Sequence, residues 1–488
     1  MKTNKKNVAI IGAGISGIRS AYLLAKQANK NIGKIAIFDS SASIGGVLKN
    51  TTSGEFKLEH GAQGVLLSRQ AFWDCLNEIK LTNKLLVPAK NAKRRYLLTP
   101  TNCIPITPNI FRLKKNGFLG FRDLLRIISE IFLKRPDNKN FNDTLYQFFL
   151  RHFGKKFTET FLVSLTFGIW GGGAKKILVR YAFPNLLKLE NGYGSLLKAF
   201  FILSFKNKLK KDIKIKQKGL GSFENGMEYL VHELYQQFLN ICKQKSIIVE
   251  LNLNQKVFKI IKISNYFSLE FTLENKIKKQ SFDCVVYSGQ PWRDNNLSLI
   301  VDNINFEELQ KSYQNLRSME AHSVAVVGLG TDNQISNSPR GFGALAGEWS
   351  KDLLGVIFVH STYPQHTPKN SKLFRVLLGG DREIDILQKS EFELIEIAKQ
   401  RLNETNIVPK NTNYIFEKVI IWEKYIPLAT VNQDKILESI WKIEAIMPGL
   451  FFTGNYIKGP SVSDCLEQAS ITCKNVILFL AGEEKNIL

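Results

Sequence analysis

Val8-Ala-Ile-Ile-Gly-Ala-Gly-Ile-Ser-Gly17 is the stretch of this 488-residue chain that decides its fold. Its first four residues form a short β-branched run that predicts a buried parallel strand, and an apolar pattern at helical spacing follows the last glycine. The glycines allow a tight turn and a close approach of the backbone to a pyrophosphate, which would lie on the helix N-terminus. The stretch therefore predicts a βαβ unit that binds a dinucleotide.

A carboxylate stands where such a unit needs one. The run at 35–38 predicts the second strand, and Asp39 follows it, 22 residues beyond Gly17. An acid at this position accepts hydrogen bonds from ribose hydroxyls, and an acid rather than an arginine disfavours a 2′-phosphate and hence NADP. A glycine-rich turn in an unrelated α/β protein would explain the glycines alone, but not the strand, helix and terminal acid together.

Composition narrows the class of protein. Hydrophobic residues make up 44% and charged residues 23%, which excludes a mainly disordered, collagen-like or disulfide-framework protein. Lys and Arg (67) outnumber Asp and Glu (43), and this net charge of +24 predicts an anionic partner such as nucleic acid, a lipid surface or an acidic substrate. The six cysteines form no CxxC pair, so we expect reduced thiols, no metal site and a cytosolic setting.

Two later stretches favour a flavin over a nicotinamide. A glycine pair, Gly45-Gly46, comes directly after the acid, and Phe56-Lys-Leu-Glu-His-Gly-Ala-Gln-Gly64 gives an extended segment with another glycine turn. Near the C-terminus, the run at 450–453 predicts a strand, and a helix follows from about Ser463, capped by Ser461 or Ser463. These patterns resemble the amine-oxidase-like flavoprotein superfamily.

Within that superfamily, the chain is similar to the protoporphyrinogen oxidase family. The C-terminal run supplies that family's order of residues: Gly449, Leu450, Gly454, Asn455, Tyr456, Gly459, Asp464 and Cys465. Amine oxidases and carotenoid desaturases usually carry an acid where Asn455 stands. Further similarity lies at 151–154, 167–172, 180–190, 221–227, 341–345 and 379–380. Ala62 and Asn225 depart from the family's proline and glycine.

The resemblance implies an α/β (mixed α+β) architecture with three parts. A Rossmann-type FAD-binding domain would be assembled from the discontinuous segments 1–94, 191–290 and 421–488. A helical membrane-docking and substrate domain would occupy residues 95–190, and a mixed-sheet substrate-binding domain residues 291–420. We therefore expect Gly12 and Asn455 to lie close together, with FAD between the two chain ends.

The implied activity is the six-electron oxidation of protoporphyrinogen IX to protoporphyrin IX in haem biosynthesis, with hydride transfer to FAD and O2 as the acceptor, giving H2O2. Coproporphyrinogen III as the substrate stays open, as does another flavoenzyme such as an amine oxidase or carotenoid desaturase. A catalytically silent flavoprotein on a membrane is a further alternative. A nucleic-acid binder is disfavoured because no aromatic–basic interleaving or reader motif is present.

The resemblance also implies positions for the site. The residues expected to contact FAD are Gly12, Ala13, Gly14, Ile15, Ser16, Gly17, Asp39, Ser40, Val47, Gly61, Ala62, Gln63, Gly64, Val257, Trp422, Pro460, Ser461 and Val462. Arg95 would bind a propionate bidentately, although Arg94 is an equal candidate by composition. Leu345 and Tyr363 would flank the macrocycle, and Tyr363 needs a hydroxyl partner if it is buried. No general base is evident.

A membrane surface is the second expected partner. In the segment 109–139, Leu124, Leu125, Ile127, Ile128, Ile131 and Phe132 form an apolar face beside Arg122, Arg126, Lys134 and Arg135, as in an in-plane membrane helix. The alternative is a core-facing helix with a solvated basic side. A second basic run at 206–218 predicts a solvated loop. No apolar run reaches the roughly 18–20 residues of a membrane span.

We expect a cytoplasmic protein that is peripheral to the inner face of a bacterial plasma membrane. As protein partners we expect a second copy of the chain and the next enzyme of the haem pathway.

Overall fold

The computed structural model describes residues 5–28, 31–107, 109–134, 142–209, 219–294, 296–301, 307–332 and 338–482. Over these residues the chain has a mixed α/β fold with two main sheets and a layer of helices inserted between residues 110 and 209. This architecture confirms the predicted fold class. The membrane-docking role of the inserted helices stays a prediction.

The strands of the described residues come from all parts of the chain. They are β1 (Lys6–Ile11), β2 (Ile32–Phe38), β3 (Asn50–Ser53), β4 (Phe56–Glu59), β5 (Val65–Leu66), β6 (Leu85–Leu86), β7 (Arg95–Leu98), β8 (Cys103–Ile106), β9 (Leu220–Phe223), β10 (Ile248–Asn252), β11 (Val257–Ile263), β12 (Tyr266–Leu273), β13 (Lys276–Phe282), β14 (Cys284–Tyr287), β15 (Ser298–Val301), β16 (Ala321–Thr331), β17 (Gly343–Ala346), β18 (Leu353–Phe358), β19 (Lys372–Gly379), β20 (Tyr414–Pro427) and β21 (Leu450–Phe452).

The helices concentrate between β8 and β9 and around the N-terminal strands. They are α1 (Ile15–Gln27), α2 (Gln70–Glu78), α3 (Ile110–Lys115), α4 (Phe121–Ser129), α5 (Leu145–Phe153), α6 (Lys155–Phe157), α7 (Val163–Trp170), α8 (Val179–Ala182), α9 (Pro184–Tyr193), α10 (Leu196–Leu209), α11 (Glu228–Lys245), α12 (Glu307–Arg317), α13 (Val359–Thr362), α14 (Glu391–Glu404), α15 (Gln433–Ile446) and α16 (Val462–Ala481). A 3-10 turn, Glu130–Phe132, follows α4, and a π-helical turn, Thr158–Leu162, joins α6 to α7.

The first main sheet, here called the parallel sheet, has the strand order β10-β2-β1-β14-β21, and its described strands all run parallel. Its apolar strands are buried on both faces, as parallel sheets require. Helices α1, α2, α11 and α16 cover one face, and β12, α12 and α15 cover the other. Segments that lie far apart in the chain therefore share one core, as the resemblance implied.

The second main sheet, here called the mixed sheet, has the order β20-β16-β19-β18-β17-β7-β8. Helix α14 packs against one face and buries it. The opposite, inner face turns toward α7 and the loop that follows β4. A ligand can therefore bind on the inner face of the mixed sheet but not on the face that α14 covers.

Two of the predicted domain boundaries fall inside elements. The boundary between residues 190 and 191 lies inside α9, and the boundary between residues 420 and 421 lies inside β20, which pairs with β16 from Tyr414 to Pro427 with two register shifts. Strands β7 and β8 pair into the mixed sheet, so the helical insertion begins at Ile110 and continues to Leu209. The helix that the sequence places at about Ser463 begins one residue earlier, at Val462.

The basic run at 206–218 lies largely outside the described residues. Residues 206–209 continue α10 instead of forming a loop, and nothing further of the run is described. Within the described ranges, no helix is both long enough and apolar enough to cross a membrane.

The close packing of α1 on β1 gives a test of the parallel sheet. A Cβ added at Gly17 would lie 1.9 Å from the Gly12 carbonyl oxygen, so we expect Gly17→Ala to cost about 1–3 kcal/mol of unfolding free energy. The matched control is Gly192→Ala in α9, where an added Cβ meets open space and helix propensity favours alanine. Thermal unfolding of both variants checks this. Equal midpoints in the two variants would contradict the packing.

Candidate active site

The carboxyl ends of the parallel strands meet at one edge of the sheet. Backbone hydrogen bonds run across it in sequence, from the Gly12 N–H to the Phe38 oxygen (2.7 Å), from the Ser288 N–H to the Ile11 oxygen (2.8 Å) and from the Thr453 N–H to the Tyr287 oxygen (3.0 Å). Ligands of open parallel sheets bind in the crevice outside these ends. The edge is therefore the candidate cofactor site.

The turn between β1 and α1 suits a pyrophosphate. Helix α1 starts after Gly14, and within the described residues no side chain caps it and no acid lies in its first turn. Its free N–H groups can therefore donate hydrogen bonds to an anion. Gly46 comes so close that an added Cβ would lie 3.1 Å from the Gly14 Cα, so glycines keep the cradle open on both sides.

Asp39 lies at this edge, as predicted. One carboxylate oxygen accepts the Ala13 N–H and the other the Ser41 N–H, both at 2.7 Å. These two bonds fix the carboxylate beside the glycine turn, where it can also accept from ribose hydroxyls. The neighbouring Ser40 is exposed.

The two ends of the chain come together here. The Ser288 hydroxyl donates to the Gly12 oxygen (2.9 Å), and the Gln290 amide two residues later donates to Asn455 Oδ1 (3.2 Å). The Ser16 hydroxyl is hydrogen bonded to the Cys465 side chain in α16. The expected proximity of Gly12 and Asn455 is thus confirmed.

The N-terminus of α16 completes the C-terminal side. Ser461 caps the helix by accepting the Asp464 N–H (3.1 Å), while Asp464 also accepts Arg69 (2.8 Å). The Ser463 hydroxyl is buried and has no hydrogen-bond partner among the described atoms, so Ser461 and not Ser463 is the cap. Pro460 and Val462 flank the cap.

The loop that follows β4 projects toward the same edge and is held from the mixed sheet. The Arg375 guanidinium donates to the Glu59 oxygen (3.0 Å), the His60 oxygen (3.3 Å) and the Gly61 oxygen (2.6 Å). Trp422 Nε1 donates to the His60 oxygen at 2.9 Å. The sequence predicted Trp422 but not Arg375, and these bonds fix the Gly61–Gly64 turn.

Gln63 supports the fit of this turn to a polar ligand. Its side chain is 5% exposed, and neither amide atom has a partner among the described atoms. A buried amide without partners is costly, and a polar ligand at the edge would satisfy it. Val47 contacts the same turn, because a Cβ at Gly61 would lie 2.5 Å from the Val47 oxygen.

Val257 is another residue that is predicted to contact the cofactor. It begins β11 and is 3% exposed, packed in the core beneath the parallel sheet. Its assignment to FAD, like that of the other individual residues, stays a prediction.

Glu59, at the end of β4, is a buried carboxyl group behind the turn. Its Oε1 accepts the Met227 N–H at 2.8 Å, and Oε2 has no partner among the described atoms. Burial raises the pKa of Glu59 to about 8, although the Met227 N–H and the Arg375 charge act against this. Burial likewise lowers the pKa of Arg375 to about 10. The hydrogen bonds of Arg375 go to backbone carbonyls and not to the Glu59 carboxyl group, so Arg375 holds the turn through carbonyls and not through an ion pair.

The Glu59 carboxyl gives a pH prediction. It stays protonated in the folded protein to about pH 8, whereas in the unfolded chain it ionises near 4.5, so the wild type loses stability as pH rises between these values. Glu59→Gln cannot ionise, and we expect its thermal midpoint relative to wild type to rise over the same range. The exposed Glu55→Gln is the matched charge control. A Glu59→Gln difference that is constant with pH would contradict the shift.

The inner face of the mixed sheet is apolar but only partly buried. In-register pairing places Leu97, Leu345, Gly355, Leu377 and Val326 in one row, and Arg95, Gly343, Ile357, Arg375 and Gly328 in the next row. Leu345, Ile357 and Leu377 remain partly accessible. The row residues of the opposite face are buried against α14. We call the space above these three side chains the slot.

Two neighbours bound the slot. Helix α7 covers one side, since a Cβ at Gly168 would lie 2.6 Å from the Leu345 side chain. The Gly61–Gly64 turn and Trp422 lie on the other side, where Trp422 and Leu377 pack against the same buried cluster. The slot therefore opens toward the candidate cofactor edge.

The three predicted substrate residues fall into two groups. Arg95 and Leu345 both belong to the inner face, where the Arg95 guanidinium lies over the Phe342 ring (4.1 Å) and donates to the Ala92 oxygen (2.7 Å). Tyr363 is fully buried and its hydroxyl donates to the Leu220 oxygen at 2.6 Å, which supplies the partner that a buried tyrosine needs. Burial raises the pKa of Tyr363 well above its ordinary value. Tyr363 therefore supports the wall beside Gly64, and does not present its hydroxyl to the slot.

Comparison with known proteins identifies the family. The profile described as "Flavin containing amine oxidoreductase" matches residues 15–477, which is most of the chain. This chain belongs to that family. FAD is therefore its cofactor, and the enzyme is an FAD-dependent oxidoreductase.

Individual relatives cover nearly the whole length. The mitochondrial protoporphyrinogen oxidase of Nicotiana tabacum is 27% identical over 507 residues (98% of this chain, 96% of the relative), and protoporphyrinogen oxidase 2 of Arabidopsis thaliana is 24% identical over 515 residues (97% and 94%). The coproporphyrinogen III oxidase of Bacillus subtilis is 21% identical over 493 residues (98% and 100%). The resemblance to protoporphyrinogen oxidases is thus confirmed.

Solved structures show the same fold at lower identity. A proposed protoporphyrinogen oxidase from Exiguobacterium sp. 255-15 superposes with a TM-score of 0.79 and 18% identity, covering 98% of this chain and 99% of that one. A UDP-galactopyranose mutase reaches 0.72 with 12% identity, covering 98% and 96%. The fold is therefore shared by enzymes with different names and activities, and the substrate must be argued from the slot.

Proposed function

We propose that this enzyme oxidises protoporphyrinogen IX to protoporphyrin IX in haem biosynthesis, a reaction that removes six electrons, with O2 as the acceptor and H2O2 as the second product. The observation that carries the proposal is the slot: a row of partly accessible apolar side chains with one guanidinium, Arg95, at its end and the Gly61–Gly64 turn beside it.

A porphyrinogen fits the chemistry of this slot. Its macrocycle is large and apolar and carries its propionates on one side, so it needs an apolar wall and a cation at one end. Leu345, Ile357 and Leu377 provide the wall, and Arg95 provides the cation. Ile357 and Leu377 extend the set of substrate residues beyond those that the resemblance implied.

FAD supplies the hard chemistry when bound, since it accepts hydride from the substrate. The residues of this chain bind and orient the cofactor and the substrate, and they exclude water from the site. In the described strands, the two inner-face rows contain no carboxylate and no imidazole, so we assign no general base to them. Helix α7 keeps solvent from the apolar wall.

Coproporphyrinogen III is the alternative substrate, and relatives named for it match the full chain. It carries four propionates instead of two. On the inner face of the described strands, the second guanidinium, Arg375, is committed to the carbonyls of residues 59–61, which leaves Arg95 to meet carboxylates. This favours the two-carboxylate substrate.

Arg95 provides the direct test. We expect Arg95→Ala to raise KM for protoporphyrinogen about tenfold or more with a smaller change in kcat, because a charged hydrogen bond contributes about 1.5–3 kcal/mol. Arg94→Ala is the matched control: Arg94 is exposed like Arg95 but precedes β7 and lies outside the two inner-face rows, so this variant should stay close to wild type. Both variants and the wild type are assayed on both porphyrinogens. Equal KM effects of the two substitutions would argue against the slot, and faster wild-type turnover of coproporphyrinogen would favour the alternative.

We also propose that the enzyme docks on an anionic lipid surface, at the inner face of a bacterial plasma membrane. Phe121, Leu125, Ile128 and Phe132 recur at helical spacing along α4 and the following turn, and all four point outward, Phe132 being 81% exposed. Leu124 and Ile127 of the same helix face the core. The helix is therefore apolar on two faces, which a solvated surface helix is not.

The surroundings of this outward face fit anionic lipid. Helix α10 adds Phe200, Phe201 and Phe205, each more than half exposed. Basic side chains border it: Lys114 lies over the Phe121 ring at 5.4 Å, and Arg122 and Lys134 are exposed. An apolar face with a basic rim is the composition of in-plane membrane helices. We call these seven exposed side chains the docking face.

Vesicle binding tests the docking face. We expect Phe121→Ser combined with Phe132→Ser to weaken partitioning onto phosphatidylglycerol-containing vesicles, measured by sedimentation, by about a hundredfold or more, since each buried aromatic contributes about 1.5–3 kcal/mol. Phe392→Ser in α14 is the control, because Phe392 is 72% exposed but lies on the far side of the mixed sheet. Equal loss in both proteins, or none in either, would contradict the proposed face.

A further inference from the structure

A buried cluster of charged side chains lies beneath the docking face and takes no part in the flavin site. His152 and Glu130 are fully buried, and Glu190 is 2% exposed. His152 Nδ1 lies 2.7 Å from Glu130 Oε1, and Nε2 lies 3.1 Å from Glu190 Oε1. A carboxylate only accepts, so both of these bonds form when both ring nitrogens carry a proton. Arg151 Nη1 also lies 3.5 Å from Nε2, but both carboxylate contacts are shorter, and the geometry favours an imidazolium between two carboxylates.

Glu130 cannot supply the proton instead. Its two oxygens already accept from the Ser195 hydroxyl (2.6 Å) and from the Leu196 (2.7 Å) and Leu197 (3.0 Å) N–H groups. With His152 this makes four donors on one carboxyl group, which is the pattern of an ionised acceptor.

These bonds join the two helices that carry the docking face. Glu130 begins the 3-10 turn that follows α4, and its bonds to Ser195, Leu196 and Leu197 cap the N-terminus of α10. His152 ties this joint to α5, and through Glu190 to α9. The exposed side chains of α4 and α10 thus keep their relative position through the Glu130 carboxylate, whose buried charge the His152 imidazolium balances.

The other charges near His152 do not replace it. Arg151 pairs with Glu190 and, at 2.5 Å, with Asp143, and Arg126 of α4 donates to the Arg151 carbonyl. Of the remaining charges on the packed helices, Lys155 pairs with Glu159 and Arg180 with Asp434, while Lys188 and Lys198 are exposed. With His152 neutral, the cluster of Glu130, Glu190, Asp143 and Arg151 keeps three negative charges against one positive charge.

We propose that His152 is a proton-operated latch of the docking face: while it is protonated, α4 and α10 are held in one arrangement that binds lipid, and loss of the proton releases the joint at Glu130 and weakens lipid binding. The inference rests on the proposed docking on lipid. Burial alone would lower the pKa of His152, but its hydrogen bonds to the two carboxylates raise it above its ordinary value. The latch is therefore closed below this elevated pKa, and it opens as pH rises through it.

The test uses the holoenzyme and phosphatidylglycerol-containing vesicles over about pH 6 to 9. We expect wild-type affinity to fall about tenfold across the range, and His152→Gln to bind weakly and independently of pH. His232→Gln is the matched control, because His232 is an exposed histidine near Glu228 in α11. Glu190→Gln keeps the shape but removes one charge, and should move the wild-type transition to lower pH.

Protection of the Leu196 and Leu197 amides from hydrogen exchange gives a readout that does not need lipid. It should drop in His152→Gln at about pH 6, below the ordinary pKa of histidine, while the protection of α1 stays unchanged. Wild-type binding that is strong but equal at all pH values would overturn the latch and leave the docking face standing. Wild-type protein that binds no vesicles would overturn the docking face, and unchanged protection in His152→Gln would then overturn the latch as well.

Discussion

The parallel alignment of strands β10, β2, β1, β14 and β21 is the constraint on which the site depends. Because parallel strands end at the same edge, segments more than 400 residues apart in the chain deliver Gly12 and Thr453 to neighbouring positions. Helix α16 can then contact α1, and the N-termini of both helices face one crevice. The Gly61–Gly64 turn projects toward this same edge.

Arg375 connects that edge to the mixed sheet. A guanidinium this deeply buried is costly unless its donors are satisfied, and the three carbonyls of residues 59–61 accept from its Nε and Nη2. The elevated pKa of Glu59 keeps this neighbouring carboxyl largely neutral below about pH 8, so the turn does not depend on an ion pair. The position of the turn relative to the slot is thus set by hydrogen-bond geometry, which suits a reaction in which cofactor and substrate must meet closely.

The sequence was sufficient for the features that local patterns encode. Short runs of consecutive residues predict the β1–α1–β2 unit, Asp39 and the C-terminal strand and helix. The observed elements differ from these predictions only at their ends. Arg94 and Arg95 could not be separated by composition, but strand pairing places Arg95 on the inner face in register with Ile357 and Arg375.

Other features depend on contacts that no local pattern carries. Strand β19 is apolar at nearly every position, so nothing in it marks Leu377 as accessible and Leu378 as buried; that difference comes from α14 covering one face and the slot lying on the other. Glu130, His152 and Glu190 stand on three separate elements and read individually as ordinary surface residues. Had the pairing of β17, β18 and β19 been known, the alternation of side chains along each strand would have placed Leu377 and Leu345 in the same row.

The central claim is that one FAD, held between the two ends of the chain, oxidises a tetrapyrrole lying on the mixed sheet. Its most direct test is to mix the FAD-loaded enzyme with protoporphyrinogen IX under anaerobic conditions and to follow flavin absorbance and porphyrin fluorescence together. The account predicts that the flavin bleaches, and that porphyrin fluorescence appears at one porphyrin per three flavins reduced. A flavin that stays oxidised in the presence of excess protoporphyrinogen and of excess coproporphyrinogen would contradict it.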